Sequence, residues 1–284
     1  MASVTLAAEA TASARGFVSS ADGTKISYRA WPVAGAQVNF AVAHGLGEHA
    51  GRYERFAQGM AKHGYGTFAV DLRGHGNSPG QRGHVDSWSQ WTDDVAAFVD
   101  HVNAAADGEV VPLGHSFGGA TMLSTVLAGK LPSTRRFIVS SPALKVKVAV
   151  PAWKIKLGTT ASKVVPKLAL DNEVDPKLIS RIPEVVEAYR IDPLVHRKIS
   201  SRLYTEWLAA TRDILNRAGE IKIPFLILAG TSDGLIDPEG SQQLHENAAA
   251  MSELKLLEGR YHEPFNDRDN EEVFTLIATW LTKR

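Results

Sequence analysis

The chain has 284 residues, no cysteine, and 31 basic side chains balanced by 31 acidic ones. Lack of cysteine excludes disulfides, thiolate catalysis and Cys-ligated zinc or iron–sulfur centres, and zero net charge gives no electrostatic footprint for nucleic acid. Hydrophobic residues make up 44% of the chain, with no apolar run near the ~20 residues of a membrane span, so the composition reads as a globular protein.

Residues 1–15, MASVTLAAEATASAR, are read as a flexible tail rather than a processed signal, because no Lys or Arg precedes Arg15 and Glu9 interrupts the apolar stretch. The expected compartment is the cytoplasm, with secretion left open. FVSSADGTKISYRAW (17–31) predicts a hairpin turning at Asp22-Gly23. VNFAVAH (38–44) reads as a buried strand, RYERFAQGMAKHG (52–64) as a helix closed by Gly64, and TFAVDL (67–72) as another strand. In SWSQWTDDVAAFVDHVNAA (87–105), Trp88, Trp91, Val95, Phe98, Val99 and Val102 recur at helical spacing. EVVPLG, GGATMLSTVLAG and RFIVSSP (136–142) follow as strand, helix and strand.

After Pro142 the alternation stops. Residues 143–200 show no buried strand pattern and break into short helical pieces separated by prolines. It resumes with a helix over 201–219, the strand PFLILAG (224–230), a helix over 237–250, the strand ELKLLEG and a last helix in NEEVFTLIATWL. Eight strands alternating with helices predict an α/β fold, a mostly parallel eight-stranded sheet with helices on both faces. The core is then 16–142 plus 201–284, with 143–200 as an inserted helical cap over the sheet's carboxyl edge.

GHSFGGA places Ser116 between a strand and a helix, with Gly114 and Gly118 where a sharp turn has no room for a Cβ. Such a turn lifts the hydroxyl above the sheet and puts the Phe117 N–H at a helix N-terminus, free to bind an oxyanion. The other reading is a glycine turn whose serine caps the helix. A nucleophilic serine needs a base and an acid to orient it. Asp233 lies three residues past the strand ending at Gly230, and His262 follows the next strand. Asp237 is the rival acid, but DPEGS makes it a helix cap. The order Ser116, Asp233, His262, each after its own strand, is that of α/β-hydrolases. A second oxyanion donor is expected from HGLGEHAGRY, at the Leu46 N–H. His115 should point into the fold and His44 serve as scaffold; the remaining histidines lack carboxylates at ligand spacing, so no metal site is expected.

Together AHGLGEHAGRYERFA, DLRGHGNSPGQRG, GHSFGGA, DPLVH and GTSDGLIDPEGS…EGRYHEPFND resemble the monoacylglycerol lipases, a lysophospholipase-like branch of the α/β-hydrolases labelled serine aminopeptidase S33. The resemblance runs from about residue 17 to the end. It implies Ser116, Asp233 and His262 as triad, Leu46 and Phe117 as oxyanion hole, and Glu48 and Arg52 beside the alcohol end of the substrate. For Glu48 and Arg52 an i,i+4 helix ion pair stays equally open. The implied reaction is hydrolysis of carboxylic esters through an acyl-enzyme, monoacylglycerols foremost, with no cofactor. Alternatives are a lysophospholipase, a general carboxylesterase or a peptidase on the same frame, and, in another class, a receptor without turnover. Two departures bear on substrate choice: Phe117 stands where the family commonly has Met, and Phe265 where mammalian relatives have a histidine. Residues 143–167 of the cap hold six lysines and no acid among Val, Trp, Ile and Leu, which predicts peripheral contact with anionic lipid. Oligomeric state, monomer or weak dimer, is left open.

Overall fold

A computed structural model of the protein describes residues 13–147 and 160–283. The first strands are β1 (Ala14–Ser19), β2 (Lys25–Trp31), β3 (Val38–Ala43), β4 (Gly66–Val70), β5 (Glu109–His115) and β6 (Phe137–Ser140). After the insertion come β9 (Phe225–Gly230) and β10 (Ser252–Leu257). They form one eight-stranded sheet in the order β1-β2-β4-β3-β5-β6-β9-β10. From β4 to β10 every neighbouring pair is parallel, while β2 runs antiparallel to both β1 and β4.

The inner strands alternate between two cores because successive side chains leave a strand on opposite faces. Phe40 and Val42 point into one core with Phe56, Met60, Phe274 and Ile277. Ala41, Ala43, Val139 and Ile227 point into the other with Trp91, Phe98, Leu123, Trp207 and Ile214. The first face is covered by α1 (Glu54–Ala61) and α7 (Asn270–Thr282), the second by α2 (Trp88–Ala105), α3 (Phe117–Leu127), α5 (Ser201–Arg217) and α6 (Glu239–Asn247). Burial on both faces is why these strands read as continuous apolar runs.

Two sequence expectations are corrected. β1 opens at Ala14, so Ala14 and Arg15 belong to the sheet rather than to a tail. The insertion is not purely helical: besides α4 (Pro183–Ile191), β7 (Ala169–Asp171) and β8 (Lys198–Ser200) pair as an antiparallel ribbon. Three-residue strands with partners almost 30 residues apart leave no period to read. Of the lysine-rich stretch 143–167, residues 148–159, with Lys154 and Lys156, lie outside the described residues.

Candidate active site

Strand order assembles the site. β3 lies beside β5 and β9 beside β10, all parallel, so the turns after these four strands open at one edge. β6, between the two pairs, ends at Ser140, and the insertion departs from there across that edge.

Ser116 follows β5 with φ 53° and ψ −118°, a conformation L-residues rarely adopt. Its neighbours enforce the turn. A Cβ on Gly114 would stand 2.3 Å from the Gly118 carbonyl oxygen, and one on Gly118 would stand 2.1 Å from that of Ala43. The Ser116 N–H donates to the Ser140 carbonyl at 2.9 Å, tying the turn to β6. Its side chain makes no capping hydrogen bond to α3, so the helix-cap reading has no support. The loop after β3 closes over it: a Cβ on Gly45 would lie 3.0 Å from the Ser116 Cβ and 3.5 Å from its Oγ. Leu46, next in that loop, is half-buried against the core, and Phe117 opens α3 immediately after the serine.

On the other strand pair, His262 Nδ1–H donates to Asp233 Oδ2 at 2.7 Å. The second oxygen, Oδ1, accepts the N–H groups of Leu235 (2.8 Å) and Ile236 (2.9 Å), so the carboxylate is fixed in plane. Burial pushes the Asp233 carboxyl up, but the His262 charge and these hydrogen bonds outweigh it and hold it below the usual range. Burial likewise opposes charge on His262, and Asp233 outweighs it, leaving the imidazole above its ordinary value. A carboxylate that holds Nδ1–H leaves Nε2 as the proton acceptor, the tautomer a general base requires. Asp237 behaves as the sequence predicts: its Oδ1 accepts the Glu239 N–H at 3.1 Å at the start of α6, and the side chain pairs with Lys145.

The loop after β3 is braced from below. His44 Nδ1–H donates to the Gly45 carbonyl at 2.7 Å while its Nε2 accepts the Leu72 N–H at 3.0 Å, and burial keeps the ring neutral. Glu48 Oε1 accepts the Gly45 N–H at 2.6 Å. Asp71, in the glycine-rich DLRGHGNS loop, accepts the Ala50 N–H at 2.7 Å and the Asn77 N–H at 2.8 Å, so that loop supports the site from beside it. His115 is buried with its ring 4.8 Å from that of His262; burial first, and the His262 charge second, lower its pKa to about 4.

Residues 36–269 match the family model described as serine aminopeptidase, S33. The chain belongs to the serine aminopeptidase S33 family. A monoacylglycerol lipase of Mycolicibacterium smegmatis is 32% identical over 91% of this chain and 93% of its own length. An uncharacterised abhydrolase domain-containing protein of Dictyostelium discoideum is 34% identical over 93% of this chain, which spans 28% of that longer protein. The crystal structure of a Paleococcus ferrophilus monoacylglycerol lipase superposes with a TM-score of 0.80 at 30% identity, covering 96% of this chain and 99% of that one.

This S33 chain departs from its sequence reading in how the neighbouring groups are engaged. Glu48 and Arg52 do pair, at 2.8 Å, but not as an isolated helix ion pair. Arg52 also grips Glu263 through two N–H donors at 2.6 and 2.8 Å and lies 4.7 Å from the centre of the Tyr189 ring on α4. Glu263 and Tyr189 escaped the sequence reading because the contacts join residues 211 and 137 positions apart from Arg52; no local spacing signals them. The insertion makes further contacts here. The His196 N–H donates to the Gly47 carbonyl at 2.8 Å, and His49 Nε2 meets Asp192 Oδ2 at 2.9 Å. Phe117 is absorbed by packing, with ring centres of Trp207 at 4.9 Å, Trp91 at 6.1 Å and Trp88 at 6.2 Å. Phe265 is buried in the core beside α1, its ring 4.9 Å from that of Phe56. Among the described residues there is no cluster of side chains fit to hold a metal, and no helix is long and apolar enough to cross a membrane.

Proposed function

We propose that the protein hydrolyses carboxylic esters, monoacylglycerols to fatty acid and glycerol, with Ser116 as nucleophile, His262 as general base and acid, and Asp233 as the group that orients His262. Ser116 Oγ attacks the ester carbonyl carbon as its proton passes to His262 Nε2. The carbonyl oxygen becomes an oxyanion facing the Leu46 and Phe117 N–H groups, and collapse expels the alcohol, which takes the proton from His262. Water then attacks the acyl-enzyme by the same route, releasing the fatty acid and restoring Ser116. The observation that carries this reading is the 2.7 Å His262–Asp233 hydrogen bond at the strand edge that also presents Ser116 on its strained turn. The similarity to monoacylglycerol lipases over nearly the full lengths of both chains supports the substrate. Ser116→Ala is expected to keep its fold and to lose turnover of 1-monoacylglycerol and p-nitrophenyl caprylate by roughly 10³-fold or more. Wild-type rates in that variant would overturn the mechanism.

Residues 143–200 act in this reading as a cap that touches lipid. On its described part, Val164, Val165, Leu168 and Leu170 are all exposed, at 75%, 45%, 50% and 64%, beside Lys163 and Lys167. Apolar side chains left in water next to cations match an anionic bilayer surface. Lys145 contributes nothing to it, being paired with Asp237 and Glu239. Pelleting with phosphatidylglycerol vesicles at low salt is expected to exceed pelleting with phosphatidylcholine vesicles, and Val164→Ser with Leu168→Ser should abolish the difference. Equal pelleting with both lipids would remove the docking role.

A further inference from the structure

Arg52 brings a guanidinium to the sheet edge that carries Ser116 and His262, a natural receptor for phosphate or carboxylate. It is already occupied. Nη1 donates to Glu48 Oε2 at 2.8 Å and to Glu263 Oε1 at 2.6 Å, and Nη2 donates to Glu263 Oε2 at 2.8 Å. Tyr189 covers the ion, and the three charged side chains are each no more than 9% exposed. One cation between two carboxylates leaves a net charge of −1, shielded from water. The cluster is close to the chemistry: Glu48 Oε1 and Ser116 Cβ each lie 3.0 Å from the point where a Cβ on Gly45 would sit, and Glu263 directly follows His262. Glu263 is also fixed from other sides, its Oε2 accepting from Asn266 Nδ2 at 3.0 Å and its N–H donating to the Ile179 carbonyl of the insertion at 2.9 Å.

We propose that Glu263 is a specificity-determining residue which, by clamping Arg52, gives the alcohol side of the site a net negative charge and selects neutral leaving alcohols against anionic, phosphate-bearing ones. The inference rests on the ester-hydrolase reading above and sharpens it, separating monoacylglycerols from anionic lysophospholipids on charge rather than shape. Glu48 alone would balance Arg52; the second carboxylate tips the sum, and burial keeps solvent from screening it. At an effective dielectric near 20, one uncompensated charge about 6 Å from an incoming anion disfavours it on the order of 100-fold.

The test compares kcat/KM for 1-decanoylglycerol and decanoyl lysophosphatidic acid, both below their micellar concentrations, in wild type, Glu263→Gln and Glu263→Asp. Wild type is expected to favour the glycerol ester by ~100-fold. Glu263→Gln, which removes the charge and keeps the shape, should cut that ratio about tenfold or more, and Glu263→Asp should retain it. Independently of any variant, the neutral ether 1-O-decylglycerol should inhibit the wild type at least about tenfold more tightly than decyl phosphate. Two results overturn the inference while leaving the ester-hydrolase reading intact: an unchanged ratio in folded Glu263→Gln, or equal inhibition by the two probes. If Glu263→Gln does not fold, the inhibitor comparison decides. A wild type that turns over neither ester overturns the underlying reading, and the inference with it.

Discussion

His262 stands between opposed influences. Burial favours the neutral ring, while Asp233 at 2.7 Å and the nearby charges of Glu263 and Glu48 favour the cation and win, raising the pKa above 6.5. In its proposed role as general base His262 works only when neutral, so kcat/KM is expected to climb with pH through a midpoint above the ordinary imidazole value. Asp233→Asn removes the charge that raises the ring and the acceptor that fixes its tautomer. The expected outcome is a midpoint displaced to lower pH and a kcat reduced by ~10³- to 10⁴-fold, both visible in one pH–rate profile. At this scale the sequence was informative where chemistry rides on a local pattern. Ser116 was legible because Gly114 and Gly118 flank it, and Asp233 and His262 because each follows a strand end. Glu263 carried no such mark, since what makes it notable is Arg52, far away in the chain.

At the scale of elements, the turn between β5 and α3 depends on close backbone approach. Gly118 lies so near the end of β3 that a methyl group there would stand 2.1 Å from the Ala43 carbonyl oxygen and 2.5 Å from that of His44. Both are backbone atoms and cannot swing aside. Gly118→Ala is therefore expected to lower stability by ~3 kcal/mol and to abolish turnover by displacing either Ser116 or the loop after β3. Urea unfolding and ester hydrolysis measured on the same preparation check both effects. The helices and inner strands were legible from hydrophobic period, because each buries its own face against the sheet. The β7–β8 ribbon was not, since the pairing of Ala169–Asp171 with Lys198–Ser200 is set by where the insertion folds back.

Several histidines of the molecule sit wholly or partly out of water. His44, His75, His115 and His196 all have lowered pKa values, with burial as the first cause, reaching about 4 for His115 and His196. Below pH 6.5 the unfolded chain takes up protons that these folded rings refuse, so stability falls with pH across the interval from about 6.5 down to about 4. His262, raised rather than lowered, acts in the opposite direction but alone against four. The expected result is a Tm on the order of 5 °C lower at pH 5 than at pH 7, with His115→Asn flattening the dependence. Scanning calorimetry at both pH values would show it, and a Tm independent of pH would count against neutral burial of these rings.

The class of fold, and the chain order of the proposed site, are written in the amino acids alone. Both follow from local rules: apolar residues at period two or near 3.6, glycines where a Cβ has no room, and polar residues just past strand ends. Adjacency comes only with folding. The strand order sets β3 beside β5 and β9 beside β10, with β6 and the departing insertion between them. That order brings Arg52 between Glu48 and Glu263 under Tyr189, and it commits Phe117 to a cluster of tryptophans. The physical reason is that electrostatics and packing act through space, and a residue's nearest charge or ring need not be near it in the chain. Thus the groups proposed to react are visible in a line of letters, whereas the charge that surrounds them exists only once the chain has folded.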